Sequence, residues 1–295
     1  MQSRRGSGNL DAVTHGERSV VITGASRGIG RACALRLAAS GTRVFAGVRS
    51  DEHAAALRTE SDRITPVHLD VTDAAQIEAV AKRIAGEVGE RGLWGLVNNA
   101  GIAIGGPLEF VPADALRHQL EVNVTGQVVL TQALLPLLRA ARGRIVFVGS
   151  IAGLSALPYV GAYAASKHAI EAIADALRLE LRPWNIAVAV IEPGTVATDI
   201  WSTSIERAMR ILERAPPQAA QLYGKRLEAV RRRVAAGGPR GLPADAVARA
   251  VEHALTAGSP KTRYIVGRDA RARRWLERLP DRVRDAAIDR QLRRL

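Results

Sequence analysis

The chain of 295 residues holds a single cysteine, Cys33. No intramolecular disulfide can form, and so sparing a use of thiols fits a reducing compartment. Aromatic residues are scarce too, at 4%, which leaves few platforms on which nucleic-acid bases could stack. No apolar run reaches the length that spans a bilayer, and the lead-in MQSRRGSGNLDAVTHGERS lacks the apolar centre of a secretory signal. Residues 1–18 therefore read as a polar, disordered lead-in, and the expected location is cytoplasmic. Acidic residues are in deficit as well: 42 Lys and Arg stand against 29 Asp and Glu, a net charge of +13.

That excess is local. Residues 206–241 hold nine Lys/Arg against three Glu, and residues 268–295 hold ten Arg against five acids, so the remainder is close to neutral. A nucleic-acid groove needs basic residues on a folded face interleaved with aromatics. Here the basic stretches fall late and peripherally, and no nucleic-acid partner is expected. The 268–295 tail has a rough apolar stripe of Trp275, Leu276, Leu279, Val283, Ile288 and Leu292, which raises a membrane-surface reading. Pro280 interrupts the stripe and five acids dilute its charge, so docking on the protein's own body or on a neighbouring subunit is the stronger expectation.

What the chain does have is alternation. Val/Ile-rich runs at 19–24, 42–48, 64–71, 93–101, 143–150, 186–194 and 262–267 are separated by Ala/Leu-rich stretches with helical period. The runs are apolar on both faces, as strands covered by helices on either side must be. The expected fold class is α/β: a doubly wound, mostly parallel seven-stranded sheet in one domain over 19–267. Residues 195–242 are too long for a plain crossover and form a helical insertion of the kind that shapes a ligand site. The Arg-rich amphipathic tail of 268–295 completes the chain.

The first run leads into TGASRGIG, with Gly24, Gly28 and Gly30 around Ser26, Arg27 and Ile29. Glycine serves where the backbone turns tightly, meets a phosphate, or lets a helix pack on a strand. The helix that follows points its N-terminal N–H groups at a pyrophosphate. The spacing G-x-x-x-G-x-G differs from the commoner G-x-G-x-x-G, but between a strand and an amphipathic helix it resembles the nucleotide loop of a Rossmann fold, and nucleotide binding is expected. At the end of the second strand a carboxylate would favour NAD, but this chain has Val48 and then Arg49. With Arg27 nearby, two guanidiniums suit a 2′-phosphate, and NADP(H) is expected over NAD(H). The alternative is that both arginines are solvated surface charges.

A second pattern is AYAASKHAI, which sets Tyr163 and Lys167 four residues apart on one helix face. Together with TGASRGIG, NNAG at 98–101, Asn123 in EVNVTG, Ser150 in VGSIAG and PGTVATD at 193–199, the chain resembles the short-chain dehydrogenases/reductases from about Ser19 to Gly267. The resemblance implies a catalytic set of Ser150, Tyr163, Lys167 and Asn123. Tyr163 would be the acid/base, its phenol lowered from the usual value near 10 by the Lys167 cation and the nicotinamide. Lys167 would also hold the nicotinamide ribose, Ser150 the substrate oxygen, and Asn123 a water linking Lys167 to solvent. Asp70 and Val71 would border the adenine, and Asn98, Ala100 and Gly101 the ribose and pyrophosphate path, although Asn98 could equally tie adjacent strands together. Pro193, Gly194, Val196 and Thr198 would line the nicotinamide. The implied reaction is hydride transfer between a nicotinamide and a carbonyl or carbinol carbon.

The segment SKHAIEAIADALRLELRPWNIAVAVIEPG and the C-terminal extension resemble the steroid- and retinol-type branch. With Leu154, Leu157, Pro158, Val160 and Trp201 as pocket candidates, they suggest a hydrophobic steroid-, retinoid- or lipid-like substrate. Two other readings stand beside it. One is a β-ketoacyl thioester reductase whose basic 206–241 stretch steers an acidic carrier protein, unless those arginines merely solvate helix faces. The other is a non-catalytic NADP(H) sensor, which the intact Ser/Tyr/Lys set disfavours. The family likeness also implies a homodimer or homotetramer. No metal ligands are expected.

Overall fold

The computed structural model describes residues 18–237 and 241–292. The lead-in of 1–18 lies outside them except for Arg18, whose guanidinium stacks over Trp94 at 4.6 Å from the ring centre. The seven expected strands are present as β1 (Ser19–Ile22), β2 (Arg43–Val48), β3 (Ile64–His68), β4 (Gly95–Asn98), β5 (Arg144–Val148), β6 (Ala187–Pro193) and β7 (Arg263–Val266). They form one sheet in the order β3-β2-β1-β4-β5-β6-β7, with every neighbouring pair parallel. The order reverses direction between β1 and β4, so the connections leave a crevice beyond the C-terminal ends of those strands. The expected runs extend past the strands themselves. Their surplus residues, Thr23–Gly24, Leu69–Val71 and Asn99–Gly101, are the loops that border this crevice.

Helices cover both faces. On one side α1 (Gly28–Ala39), α2 (Asp51–Glu60) and α9 (Ala244–Thr256) bury Cys33, Leu37, Leu57, Val251 and Leu255 against the sheet. On the other, α3 (Ala74–Val88), α5 (Gly126–Ala141) and α6 (Gly161–Glu180) bury Ile77, Ile84, Leu130, Leu134, Leu138 and Ile170. Each helix repeats apolar residues at three- and four-residue spacing, so one stripe faces the sheet. Asp73 starts α3 by accepting from the backbone N–H of Ala75 and Gln76. Burial pushes the Cys33 thiol up to about 12, which leaves it unreactive.

α4 (Ala113–Leu120) runs into α5 through a π-turn at Glu121–Thr125. The resulting stretch Ala113–Ala141 is long and apolar enough by length and composition to cross a membrane, which corrects the expectation that no segment would be. Its Leu130, Leu134 and Leu138 are fully buried in the core of this fold.

The insertion is a helical pair, α7 (Ile200–Arg214) and α8 (Pro217–Gly237), broken at Ala215–Pro216. The tail forms α10 (Arg268–Leu276) and α11 (Asp281–Leu292), separated at Pro280 as the sequence suggests. α10 does dock on the body, but through polar groups rather than the apolar stripe. Asp269 accepts from the Thr195 backbone N–H at 2.7 Å, and Arg273 reaches the Ser155 hydroxyl at 2.8 Å. Trp275, Leu279 and Val283 of the stripe are exposed, Trp275 by 67%.

Candidate active site

The crevice at the strand ends is a cleft of about 750 Å3, lined at one end by the glycine loop and at the other by Ser150, Tyr163, Lys167 and Trp201. Its coenzyme end is made largely of backbone. Gly24 and Gly28 have φ of +63° and +56°, a region that side chains with a Cβ avoid. Gly30 does not line the cleft. A Cβ there would run into the Gly24 carbonyl oxygen and the Asn99 amide, so this glycine lets α1 close on the loop. α1 starts at Gly28 with no side-chain cap and no acid in its first turn, so its positive end stays open to the cleft. Ser26, Arg27, Ile29, Val71, Ala100, Gly101, Pro193, Gly194, Val196 and Thr198 all line it.

The end of β2 carries Val48 and Arg49 with no carboxylate, and both lie in the cleft. Arg49 stands 3.6 Å from the Asp70 carboxylate, and Arg27 stands 3.7 Å from Asp199. Burial opposes ionisation of Asp70, but hydrogen bonds from Thr72 and the Arg49 charge outweigh it and hold the carboxyl below its ordinary value. These features fit a nicotinamide dinucleotide: an uncapped helix end and left-handed glycines for the pyrophosphate, and guanidiniums where the adenosine ribose would lie.

Asn98 is the clearest misplacement among the expected contacts. Its side chain is wholly buried and donates to the Thr131 hydroxyl of α5 at 2.9 Å, turned away from the cleft. Of the two tasks open to it, it performs the structural one, although it ties strand to helix rather than strand to strand. The neighbouring Asn99 faces the cleft and was missed by the sequence reading. Its amide donates to the carbonyls of Thr23 and Gly24, while the Thr23 hydroxyl accepts from the backbone N–H of Asn99 and Ala100. This clasp fixes the glycine loop to the end of β4.

At the far end, β5 delivers Ser150 and the first turns of α6 deliver Tyr163 and Lys167. Lys167 Nζ donates to the Val148 carbonyl at 2.7 Å and lies 5.7 Å from the centre of the Tyr163 ring. The expected lowering of the phenol calls on a nicotinamide as well as on Lys167, and in the protein by itself burial is the larger influence. Burial pushes Tyr163 up to about 12, with Ser150 pulling only partly the other way. Burial also pushes Lys167 down to about 8, opposed by Glu171 one turn further along α6. Burial is the first cause of both shifts.

Asn123 sits in the π-turn, fully buried. Its Oδ1 accepts from the Ile102 N–H at 2.8 Å, and its Nδ2 donates to the Ile102 carbonyl and the Ser166 hydroxyl. The side chain thus braces the β4 loop against α6. Gln119 does the same one turn earlier, contacting Ile102 and Ile104. Beneath the floor, Arg263 of β7 bonds Glu171 and Asp175 of α6 and stands 3.4 Å from Glu192 of β6. Glu192 is completely buried, and burial together with the nearby Glu171 pushes it up to about 7.

The substrate end is apolar. Trp201 packs edge-on against Tyr163, with ring centres 5.6 Å apart and an interplanar angle of 75°. Ile102, Ala103 and Ile200 complete this wall. Leu154, Leu157 and Pro158 line a separate cavity of about 790 Å3 between the β5–α6 connection, α8 and α11, so they are not part of the cleft in front of Ser150.

A parallel doubly wound sheet with this glycine loop and a serine, tyrosine and lysine at the opposite end of one cleft defines an oxidoreductase that uses a nicotinamide coenzyme. Residues 18–208 match the family model of the short chain dehydrogenases, and the chain belongs to that family. It is 36% identical to the NADPH-dependent 3-dehydrocapnine reductase of Ornithobacterium rhinotracheale, covering 94% of this chain and 98% of that one. It is 38% identical to retinol dehydrogenase 16 of Mus musculus over 86% of this chain and 82% of that one. Among solved structures it is similar to a short chain dehydrogenase from Burkholderia cenocepacia J2315 in complex with NADP, with a TM-score of 0.71 and 26% identity, over 92% of this chain and 97% of that one.

Proposed function

We propose that the protein is an NADP(H)-dependent reductase of hydrophobic ketones or aldehydes, of steroid-, retinoid- or lipid-like shape, with Tyr163 as the proton donor. The observation that carries this reading is the buried Tyr163 phenol beside Ser150 and Lys167 at the apolar end of a cleft whose other end offers arginines and no carboxylate after β2. Bound in that cleft, NADPH would supply a hydride to the carbonyl carbon. Ser150 donates a hydrogen bond that holds the carbonyl oxygen, and Tyr163 Oη gives that oxygen its proton. Lys167, anchored on the Val148 carbonyl, keeps a positive charge one helical turn from the phenol and stabilises the phenolate left behind. It also offers donors to the nicotinamide ribose.

The relative named as an NADPH-dependent reductase and the neighbour bound to NADP support the coenzyme, and the relative named as a retinol dehydrogenase supports an apolar substrate. Trp201 and Ile102 supply a wall that selects by shape. The single buried thiol suits a reducing cytoplasm. Exposed Val129 on α5 and Leu179 on α6 suit a homodimer or homotetramer built on those helices, which size-exclusion chromatography with light scattering reads directly.

The test is titration with NADPH and NADH followed by a carbonyl panel of steroids, retinal, medium-chain ketones and acetoacetyl thioesters. Tight NADPH binding and turnover of one apolar class, abolished in Tyr163→Phe, is the expected result. Preferred turnover of the thioesters would redirect the substrate class, and binding without turnover would make the protein a coenzyme sensor. Equal affinity for NADH would reduce Arg27 and Arg49 to surface charges.

A further inference from the structure

Two arginines at the coenzyme end of the cleft have carboxylate partners, Arg27 with Asp199 and Arg49 with Asp70. A third does not. Arg207 stands two turns into α7, half-buried, and lines the same cleft. Among the described residues no hydrogen bond or ion pair engages its guanidinium, although those of Arg27, Arg36, Arg43, Arg49 and Arg263 all have partners. The charges that bear on it most are cations, although it also borders a groove that Glu109 and Asp114 line. Burial weakens its hold on its proton, and Arg210, Arg49 and Arg27 weaken it further.

A half-buried guanidinium near two others is repelled by them, and no protein acceptor among the described residues engages its five donors. An anion between the three removes both costs at once. The cleft supplies the place for one. The uncapped start of α1 and the left-handed Gly24 and Gly28 mark where a pyrophosphate would lie, and Arg49 marks the ribose corner at the end of β2.

We propose that Arg207 is a coenzyme-phosphate ligand: α7, an element of the substrate-side insertion, reaches back across the cleft and closes a three-arginine cage with Arg27 and Arg49 around a phosphate of NADP(H). The proposal rests on the NADP(H) reading. It gives the coenzyme a grip on the helix that also carries Trp201 against Tyr163. Coenzyme binding then fixes the wall of the substrate pocket, and the substrate enters second. Within the dinucleotide the phosphate is either the 2′-phosphate or the pyrophosphate, and the two are separable because NADH lacks only the former.

The experiment is isothermal titration of the full-length protein with NADPH and with NADH, for the unmodified chain, Arg207→Gln, Arg207→Lys and Arg210→Gln. Arg210 is exposed on the same helix and does not line the cleft, so its variant removes an equal charge without a contact. Arg207→Gln is expected to weaken NADPH about tenfold, Arg207→Lys by less, and Arg210→Gln by under about twofold. A loss confined to NADPH assigns the 2′-phosphate, and an equal loss for both coenzymes assigns the pyrophosphate. Unchanged affinity for both in a folded Arg207→Gln overturns the proposal, and so does an equal loss in Arg210→Gln, since that would be a diffuse field. An unmodified chain that binds NADPH and NADH equally would instead sink the coenzyme reading, leaving Arg207 to be judged on the pyrophosphate alone.

Discussion

At the coenzyme end of the cleft the chain works through its backbone, and at the substrate end through side chains brought together from distant segments. Gly24, Gly28 and Gly30, the open start of α1 and the Thr23–Asn99 clasp form a cradle from residues that are mostly close in sequence or lie at adjacent strand ends. The substrate end draws on the β4 loop, the end of β5, α6 and α7, and is braced by α10. Backbone geometry admits few residue types, so the first region carries a recognisable string of letters. Apolar walls admit many, so the second carries almost none.

Four substitutions break or sharpen that contrast. The largest effect is expected at the junction of the two ends: Tyr163→Phe should lower kcat about a thousandfold in steady-state assays, with NADPH affinity changed by less than about twofold. A large loss of coenzyme binding in this variant would mean that the two ends are not separable. Next, Gly30→Ala puts a methyl group against the Gly24 carbonyl and the Asn99 amide. Denaturant unfolding should show a loss of about 3 kcal/mol, with coenzyme binding weakened in step. Trp201→Ala is the counterpart at the apolar end. It should lower kcat/KM for an apolar carbonyl about tenfold while leaving NADPH affinity near normal, and a matching loss at both ends would erase the distinction.

The smallest effect concerns the floor that both ends share. Glu192 has its folded value raised to about 7, so the fold favours its protonated form. Its contribution is harmless below the ordinary carboxylate range, and stability is lost as pH rises from about 4.5 towards 7. Arg263 and Arg274 oppose that loss and Glu171 adds to it. Glu192→Gln should therefore flatten the fall of Tm across this window. Parallel Tm curves would remove Glu192 as its source.

The same contrast explains what the sequence revealed. The seven strands were legible because each is a short apolar run between turn residues, and the parallel order followed from helices lying between them. Tyr163 and Lys167 were legible because helical spacing aligns them regardless of what surrounds the helix. Asn98 stayed open to two roles because consecutive residues at a strand end face opposite ways, and a shift of one residue moves a side chain from cleft to core. The charge one turn from the phenol is visible in the sequence, whereas the depth at which both groups are buried is not. The π-turn that commits Asn123 to Ile102, and the outward face of the tail's Trp275, depend on packing partners no local pattern names.

The contact between Asp269 and the Thr195 backbone joins positions 74 residues apart, and β7, which flanks β6, is made of residues that also come late. During synthesis from the N-terminus, the glycine loop, its clasp on β4, and the serine, tyrosine and lysine are all complete before α10 leaves the ribosome. Gly194 lies directly under Asp269, where a Cβ would collide with the carboxylate, so this wall of the cleft rests against a residue made late. A nascent chain can therefore hold Ser150, Tyr163 and Lys167 in place and still lack a support beneath one wall of the cleft they line.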